Sequence, residues 1–290
     1  MRNRASLTAE YMALFRGLES SRPANSRLFC DPLAALFVHG WRRWLYSLAR
    51  FHSFRGLVER LLDWKAPGAR AAGIARTTWI DDRVSAALRG VPQLVLLGAG
   101  FDTRAYRLTS AAQAAVFELD RPETLSAKRA ALEAAIGPLP ENVHLAAIDF
   151  NSQSLGEVLK QAGFDALRPA CFVWEGVTNY LSADAVDGAL GQIRQAAPGS
   201  LLLFTYIHRA VLETPERFHG AGKMLARLRD YGEPWTFGID PGQLAGYLSA
   251  RGLRLGEDLS VAEVWERAGR PASQVRGYEF YRLASAGVES

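Results

Sequence analysis

Cysteine is nearly missing. Cys30 and Cys171 are the only two among 290 residues, and they supply neither a disulfide framework nor metal-ligand spacing. Cys171 sits in an apolar run and reads as a small core residue. Histidine is scarce too, with five. No His/Cys/carboxylate cluster stands at ligand spacing, so no metal is expected. No apolar run approaches the roughly 20 residues a bilayer crossing needs, and the N-terminal stretch has no hydrophobic signal core. The net charge of +4 comes from arginines spread along the chain rather than from a basic stripe, which argues against nucleic acid. The chain also lacks repeats, linkers and low-complexity blocks. A reduced cytoplasmic protein with neither nucleic acid nor membrane as partner is the expectation.

What is present is ordinary for a globular chain, 49% hydrophobic and 22% charged. A single domain is expected in four parts: a helical cap over 1–90, a core over 91–207, an insertion over 208–240 and a closing segment over 241–290. In the cap, Leu7 to Glu19, Pro32 to Leu48, Phe51 to Trp64 and Ala75 to Leu88 carry apolar residues at helical spacing. Asp31-Pro32 reads as a cap followed by a first-turn proline. Trp41, Trp44, Tyr46, Phe51 and Phe54 read as helix-packing core in preference to a substrate pocket.

From residue 91 strands and helices alternate. Strands are expected at 93–97, 114–119, 143–148, 170–174 and 200–207, with helices at 122–136, 154–162 and 183–196 between the later pairs. Another helix is expected over Asp240 to Ala250, and closing strands over Arg254 to Leu259 and Gly277 to Leu283. This pattern implies an α/β fold, a mostly parallel sheet covered on both faces, with ligands at the carboxyl ends of the strands.

Those ends carry the chemistry. Leu96-Leu97-Gly98-Ala99-Gly100 is a buried strand entering a glycine turn, where no Cβ separates main chain from ligand. The next strand ends at Asp120, 22 residues after Gly98, close to the roughly 20 at which an acid takes the ribose hydroxyls in Rossmann-like domains. After the third strand, Asp149 is placed either to accept from an adenine amine, with Phe150 covering the ring, or to cap the next helix. Glu175 follows a buried strand, and a cationic ligand group would explain its charge. Arg76 and Arg83 are alternatives for a ligand carboxylate, each equally able to pair with Asp81 or Asp82.

Together with Glu118-Leu119-Asp120-Arg121-Pro122, Ile148-Asp149-Phe150, Glu175-Gly176-Val177-Thr178-Asn179-Tyr180-Leu181 and Gly232-Glu233-Pro234-Trp235, the glycine turn resembles the leucine carboxyl methyltransferase superfamily. The likeness is strongest to its bacterial branch, which includes carboxyl O-methyltransferases of polyketide biosynthesis. Cys30-Asp31-Pro32 and Ala75-Arg76-Thr77 extend it over nearly the whole chain. The resemblance implies a class I methyltransferase fold with seven strands, one antiparallel near the C-terminal edge, and S-adenosyl-L-methionine as cofactor. It further implies Arg76 at the methionine carboxylate, Gly98 along the methionine moiety with Gly100 also at the cofactor, Asp120 at the ribose, Asp149 and Phe150 at the adenine, and Glu175 near the α-amino group.

The acceptor implied is a small molecule, an aromatic or aliphatic acid or a phenol. A carboxylate is ionised at neutral pH and needs no base, whereas a phenol would gain from one. His208 is the candidate base, with Tyr180 and Tyr206 as orienting hydroxyls. The insertion over 208–240 would form a lid, Trp235 and Phe237 facing the acceptor. Two other readings compete: a nicotinamide-dependent oxidoreductase, whose third fingerprint glycine is here Thr103, and a methyltransferase-like binding protein without catalysis. Oligomeric state is not legible.

Overall fold

The computed structural model describes residues 7–288. Its centre is a seven-stranded sheet of β1 Gln93–Leu97, β2 Ala115–Asp120, β3 Val143–Ala147, β4 Ala170–Trp174, β5 Leu201–Ile207, β6 Leu253–Ser260 and β7 Tyr281–Val288. The strand order is β3-β2-β1-β4-β5-β7-β6, and β7 alone runs antiparallel to its neighbours β5 and β6. Every residue of β1 and β4 is buried, as expected of strands covered on both faces. Chain order reverses between β1 and β4, so a crevice opens at their carboxyl ends.

The helices are α1 Leu7–Ser20, α2 Gly40–Ala49, α3 His52–Lys65, α4 Ala69–Ala87, α5 Arg104–Arg107, α6 Pro122–Ile136, α7 Leu155–Gln161, α8 Ala183–Ile193, α9 Ala210–Glu213, α10 Ala221–Asp230, α11 Leu244–Ser249 and α12 Val261–Arg267. One face of the sheet packs on Trp79 and Ile80 of α4 and Trp265 of α12. The other packs on Leu159, Ile193 and Leu248 of α7, α8 and α11. A third core joins α1 to α3 through Leu14, Leu18, Leu45, Val58 and Leu62. It is tied to the sheet by Phe37 stacked on Phe101 at 4.6 Å, and burying each such ring is worth about 1.5–3 kcal/mol.

Several boundaries differ from expectation for local reasons. Asp31 closes only the turn before a short 3-10 helix, Ala34–Phe37, its Oδ1 accepting from the amides of Leu33 and Ala34. Gly40, at φ 56°, then turns the chain into α2. The second Asp31 oxygen, Oδ2, accepts from Arg16 Nε (2.8 Å) and the Thr103 hydroxyl (2.7 Å), binding the cap to the turn after β1. The fourth helix, α4, starts at Ala69 rather than Ala75 and lies in the sheet layer, not the cap. The 208–240 insertion contains α9 and α10. β7 starts four residues later than expected and runs to Val288. Its Ala284-Ser285-Ala286-Gly287 stretch has small residues in place of the branched ones that usually mark a strand. The twelfth helix was not expected, although Ser260 and Glu263 form a full capping box at its start.

Candidate functional site

The site is a cavity of about 1650 Å³ at the carboxyl ends of β1 to β4, roofed by α1, α10 and the segment before Phe237. Pockets that hold one drug-sized ligand run roughly 300–1,000 Å³, so a nucleoside and a second molecule have room together.

Its floor begins at the glycine turn. Gly98 and Gly100 take φ of 69° and 43°, backbone that side chains disfavour. A Cβ on Gly98 would stand 2.3 Å from Val177 Cγ2. The Gly100 amide donates to Asp120 Oδ2 at 2.6 Å and the Arg121 amide to Oδ1 at 2.7 Å. Two main-chain donors thus fix the Asp120 carboxylate at the cavity edge, and a carboxylate can accept about four hydrogen bonds. Beyond β3, Asp149 is exposed and accepts from the Asn151 amide (3.0 Å). It closes its own turn, while Ser154 caps α7. Half-buried Phe150 leans on Trp174 at 6.3 Å. Both Asp149 and Phe150 border the cavity.

Glu175 departs from expectation. Its charge is compensated inside the protein, by Arg76 Nε at 3.3 Å and Arg104 Nη1 at 2.8 Å, so no cationic ligand is needed to explain it. Burial pushes the Glu175 carboxyl up, but Arg104 and then Arg76 more than reverse this and hold it below the usual range. Arg104, 2% exposed, is the hub that the sequence reading missed. It also reaches Asp81 (2.7 Å) and Asp102 (2.5 Å). Burial alone would raise Asp102, yet Arg104 brings it down to about 2. Arg76 lies over the Tyr281 ring at 4.7 Å and borders the cavity. Burial would lower its pKa, and Tyr281 and Glu175 outweigh that, so it stays charged. Arg83 is elsewhere, paired with Glu257 and stacked on Trp79.

Four expectations are corrected, those for Phe237, Tyr206, His208 and the aromatics of the cap. Thr236 donates from its amide to Asn179 O and from its hydroxyl to Leu181 O, both at 2.8 Å. This pins the segment with Trp235 at the cavity and Phe237 turned into the core against Tyr247. Tyr180 borders the cavity, and burial pushes its phenol up to about 12. Tyr206 does not. On β5 alternate side chains face opposite ways, and Tyr206 shares the buried face with Leu202 and Phe204, its hydroxyl 2.9 Å from both Asp258 oxygens. Thr205, fully buried on the opposite parity, accepts from the Gly176 amide with its hydroxyl at 2.8 Å. The His208 amide donates to Phe280 O, its ring lies by Phe218 at 5.9 Å and Nδ1 accepts from the Ala210 amide. Burial lowers its pKa. The cavity wall carries His219 rather than His208, a residue with no distinguishing sequence signal. Among the expected core aromatics, Trp41, Trp44, Phe51 and Phe54 are instead 45–66% exposed, because the buried stripe of α2 and α3 consists of Leu45, Ala49, Val58 and Leu62.

Among the described residues no group of three or more His, Cys, Asp or Glu is arranged to hold a metal ion. The leucine carboxyl methyltransferase family profile matches residues 9–194. A "putative S-adenosyl-L-methionine-dependent methyltransferase" of Mycolicibacterium smegmatis is 37% identical, over 79% of this chain and 73% of that protein. One of the same name from Mycolicibacterium paratuberculosis is 33% identical, over 98% of this chain and 87% of its own. The crystal structure of a "putative methyltransferase" from Thermobifida fusca superposes with a TM-score of 0.60 at 22% identity, covering 94% of this chain and 98% of the other. That last likeness bears on fold alone.

Proposed function

The chain belongs to the leucine carboxyl methyltransferase family, and from that membership we propose that it methylates a carboxylate oxygen on a small natural-product acid. It is an S-adenosyl-L-methionine-dependent methyltransferase. The residues present fit that cofactor: a turn without side chains, a pre-oriented acid one strand away, an aromatic face at the third strand end, and a fixed arginine–glutamate pair. In this reading Asp120 binds the ribose hydroxyls, Asp149 and Phe150 hold the adenine, and Gly98 and Gly100 line the methionine chain. Arg76 takes the methionine carboxylate. Glu175, already paired, holds Arg76 in place and leaves its own edge to the α-amino group.

When bound, the cofactor supplies an electrophilic methyl on a positively charged sulfur. The protein's share is to align the acceptor oxygen with it, and positioning of this kind can supply up to about 7–11 kcal/mol. The observation that carries the carboxylate reading is the Tyr180 side chain at the cavity wall, a phenol that is a hydrogen-bond donor at neutral pH. A donor orients an ionised carboxylate and does not remove a proton from it. Lys65, Lys223 and Arg227 at the cavity wall favour entry of an anion.

His219 on the same wall favours a second reading, a phenol acceptor. The nicotinamide reading is set aside, since Thr103 is buried and bonded to Asp31 where that fingerprint has glycine. Incubation with labelled methyl donor and a panel of aromatic acids, aliphatic acids and phenols tests the proposal. The expected product loses its label in mild alkali, as a methyl ester does. An alkali-stable aryl ether would give the phenol reading, and cofactor binding with no transfer to any acceptor would make the protein a binder only.

A further inference from the structure

Exposed apolar side chains are normal when scattered. Here they are not: of ten large ones among the described residues, seven fall between Trp41 and Trp64. The third helix, α3, has two apolar stripes. Val58 and Leu62 fill the cap core. Phe54, Leu57, Leu61 and Trp64 recur at intervals of three, four and three, which at 100° per residue forms a second stripe on another face. Trp64 is 78% exposed, and Trp44 of α2 and Phe51 between the helices are 65% and 66% exposed. A helix packed on one core requires one stripe, so cap packing does not account for the second.

Charge accompanies this patch. Residues 40–66 hold six Lys/Arg and two Asp/Glu. Both acids are engaged at the cap: Glu59 with Arg22 and Arg70, Asp63 with Arg70. Arg43, Arg50, Arg60 and Lys65 are exposed.

We infer that the α2–α3 hairpin docks on an anionic lipid surface, its aromatic and leucine stripe entering the headgroup boundary while the flanking cations meet lipid phosphates. Tryptophan, phenylalanine and leucine beside arginine and lysine are the composition of helices that lie in that boundary, and such cations are attracted to anionic headgroups. A second copy of the chain suits the patch less well, because a two-fold contact would bring these cations against their own copies. Among the described residues no helix is long and apolar enough to cross a membrane. The docking inferred here is on the surface, and it departs from the sequence expectation of no membrane partner. Trp41 and Trp64 also border the cavity, so docking sets its rim at the lipid. The inference does not depend on which acceptor oxygen is methylated.

Flotation with phosphatidylcholine vesicles, with and without phosphatidylglycerol, tests it. Wild type is expected to float with the anionic vesicles about tenfold more than with neutral ones, and to be released by high salt. Trp44→Ser/Phe54→Ser/Leu57→Ser, which alters only exposed side chains outside the cavity wall, should lose that binding while its affinity for S-adenosylhomocysteine stays at wild type. Arg43→Glu/Arg60→Glu should lose it as well. Flotation with neither vesicle, or equal flotation of wild type and both variants, overturns the inference. So does a wild-type dimer in sedimentation equilibrium that the triple variant abolishes, with no vesicle binding.

Discussion

The floor and the roof of the cavity are held by different means. On the floor, main-chain amides and buried ion pairs fix each polar group: Gly100 and Arg121 hold Asp120, and Arg104 joins Asp81, Asp102 and Glu175. The roof leans on aromatic edges. Trp235 meets Tyr180, Phe280 and Tyr281 at 6.0–6.4 Å, and α1 is tied to it by the hydrogen bond from Thr8 to Glu233 at 2.7 Å. A floor set before any ligand arrives suits a part common to every turnover. A roof of adaptable contacts suits a part that chooses the acceptor.

The largest effect that would break this contrast is removal of the hub. Arg104→Met leaves three acids short of a partner, and opening a buried pair of this kind costs about 3–5 kcal/mol. Urea denaturation should show that loss, and an unchanged midpoint would mean the floor is held otherwise. Acid should do next most. Asp102 titrates at about 2 in the fold against an ordinary 3.8. Its contribution, about 2 kcal/mol, is therefore complete above the higher value and disappears as pH falls from about 4 through 2. Thermal unfolding across that range should track it, and in Arg104→Met, where burial is no longer outweighed, the decline should vanish or reverse. Asp120→Ala should weaken S-adenosylhomocysteine binding about ten- to thirtyfold by calorimetry, with the fold retained, in line with about 1.5–2 kcal/mol for hydrogen bonds to a charged group. At the small end, His208→Ala should leave kcat/KM within about twofold, since the ring lies outside the cavity and touches no reacting atom. A large loss there would move the chemistry toward β5.

The floor was legible because its signals are local. Glycine turns and acids at strand ends sit where the chain itself passes from strand to loop, and the 22-residue step from Gly98 to Asp120 spans one crossover. Arg104 was not legible, because its partners Asp81 and Glu175 lie 23 and 71 residues away. Tyr206 was misplaced because its hydroxyl partner, Asp258, lies 52 residues away on β6. Phe237 was assigned to the roof because nothing in Trp235-Thr236-Phe237 reveals that Thr236 anchors to residues 179 and 181. Trp41, Trp44, Phe51 and Phe54 were taken as core because clustered aromatics usually pack inside, and their residue types do not say which way a helix turns them.

A crystal structure with S-adenosylhomocysteine tests the central claim most directly. The account predicts ribose hydroxyls on Asp120, adenine against Phe150 with its amine at Asp149, and the amino-acid end between Arg76 and Glu175 across the Gly98 turn. A nucleoside seated under α10 with Asp120 still bonded only to Gly100 and Arg121 would contradict it.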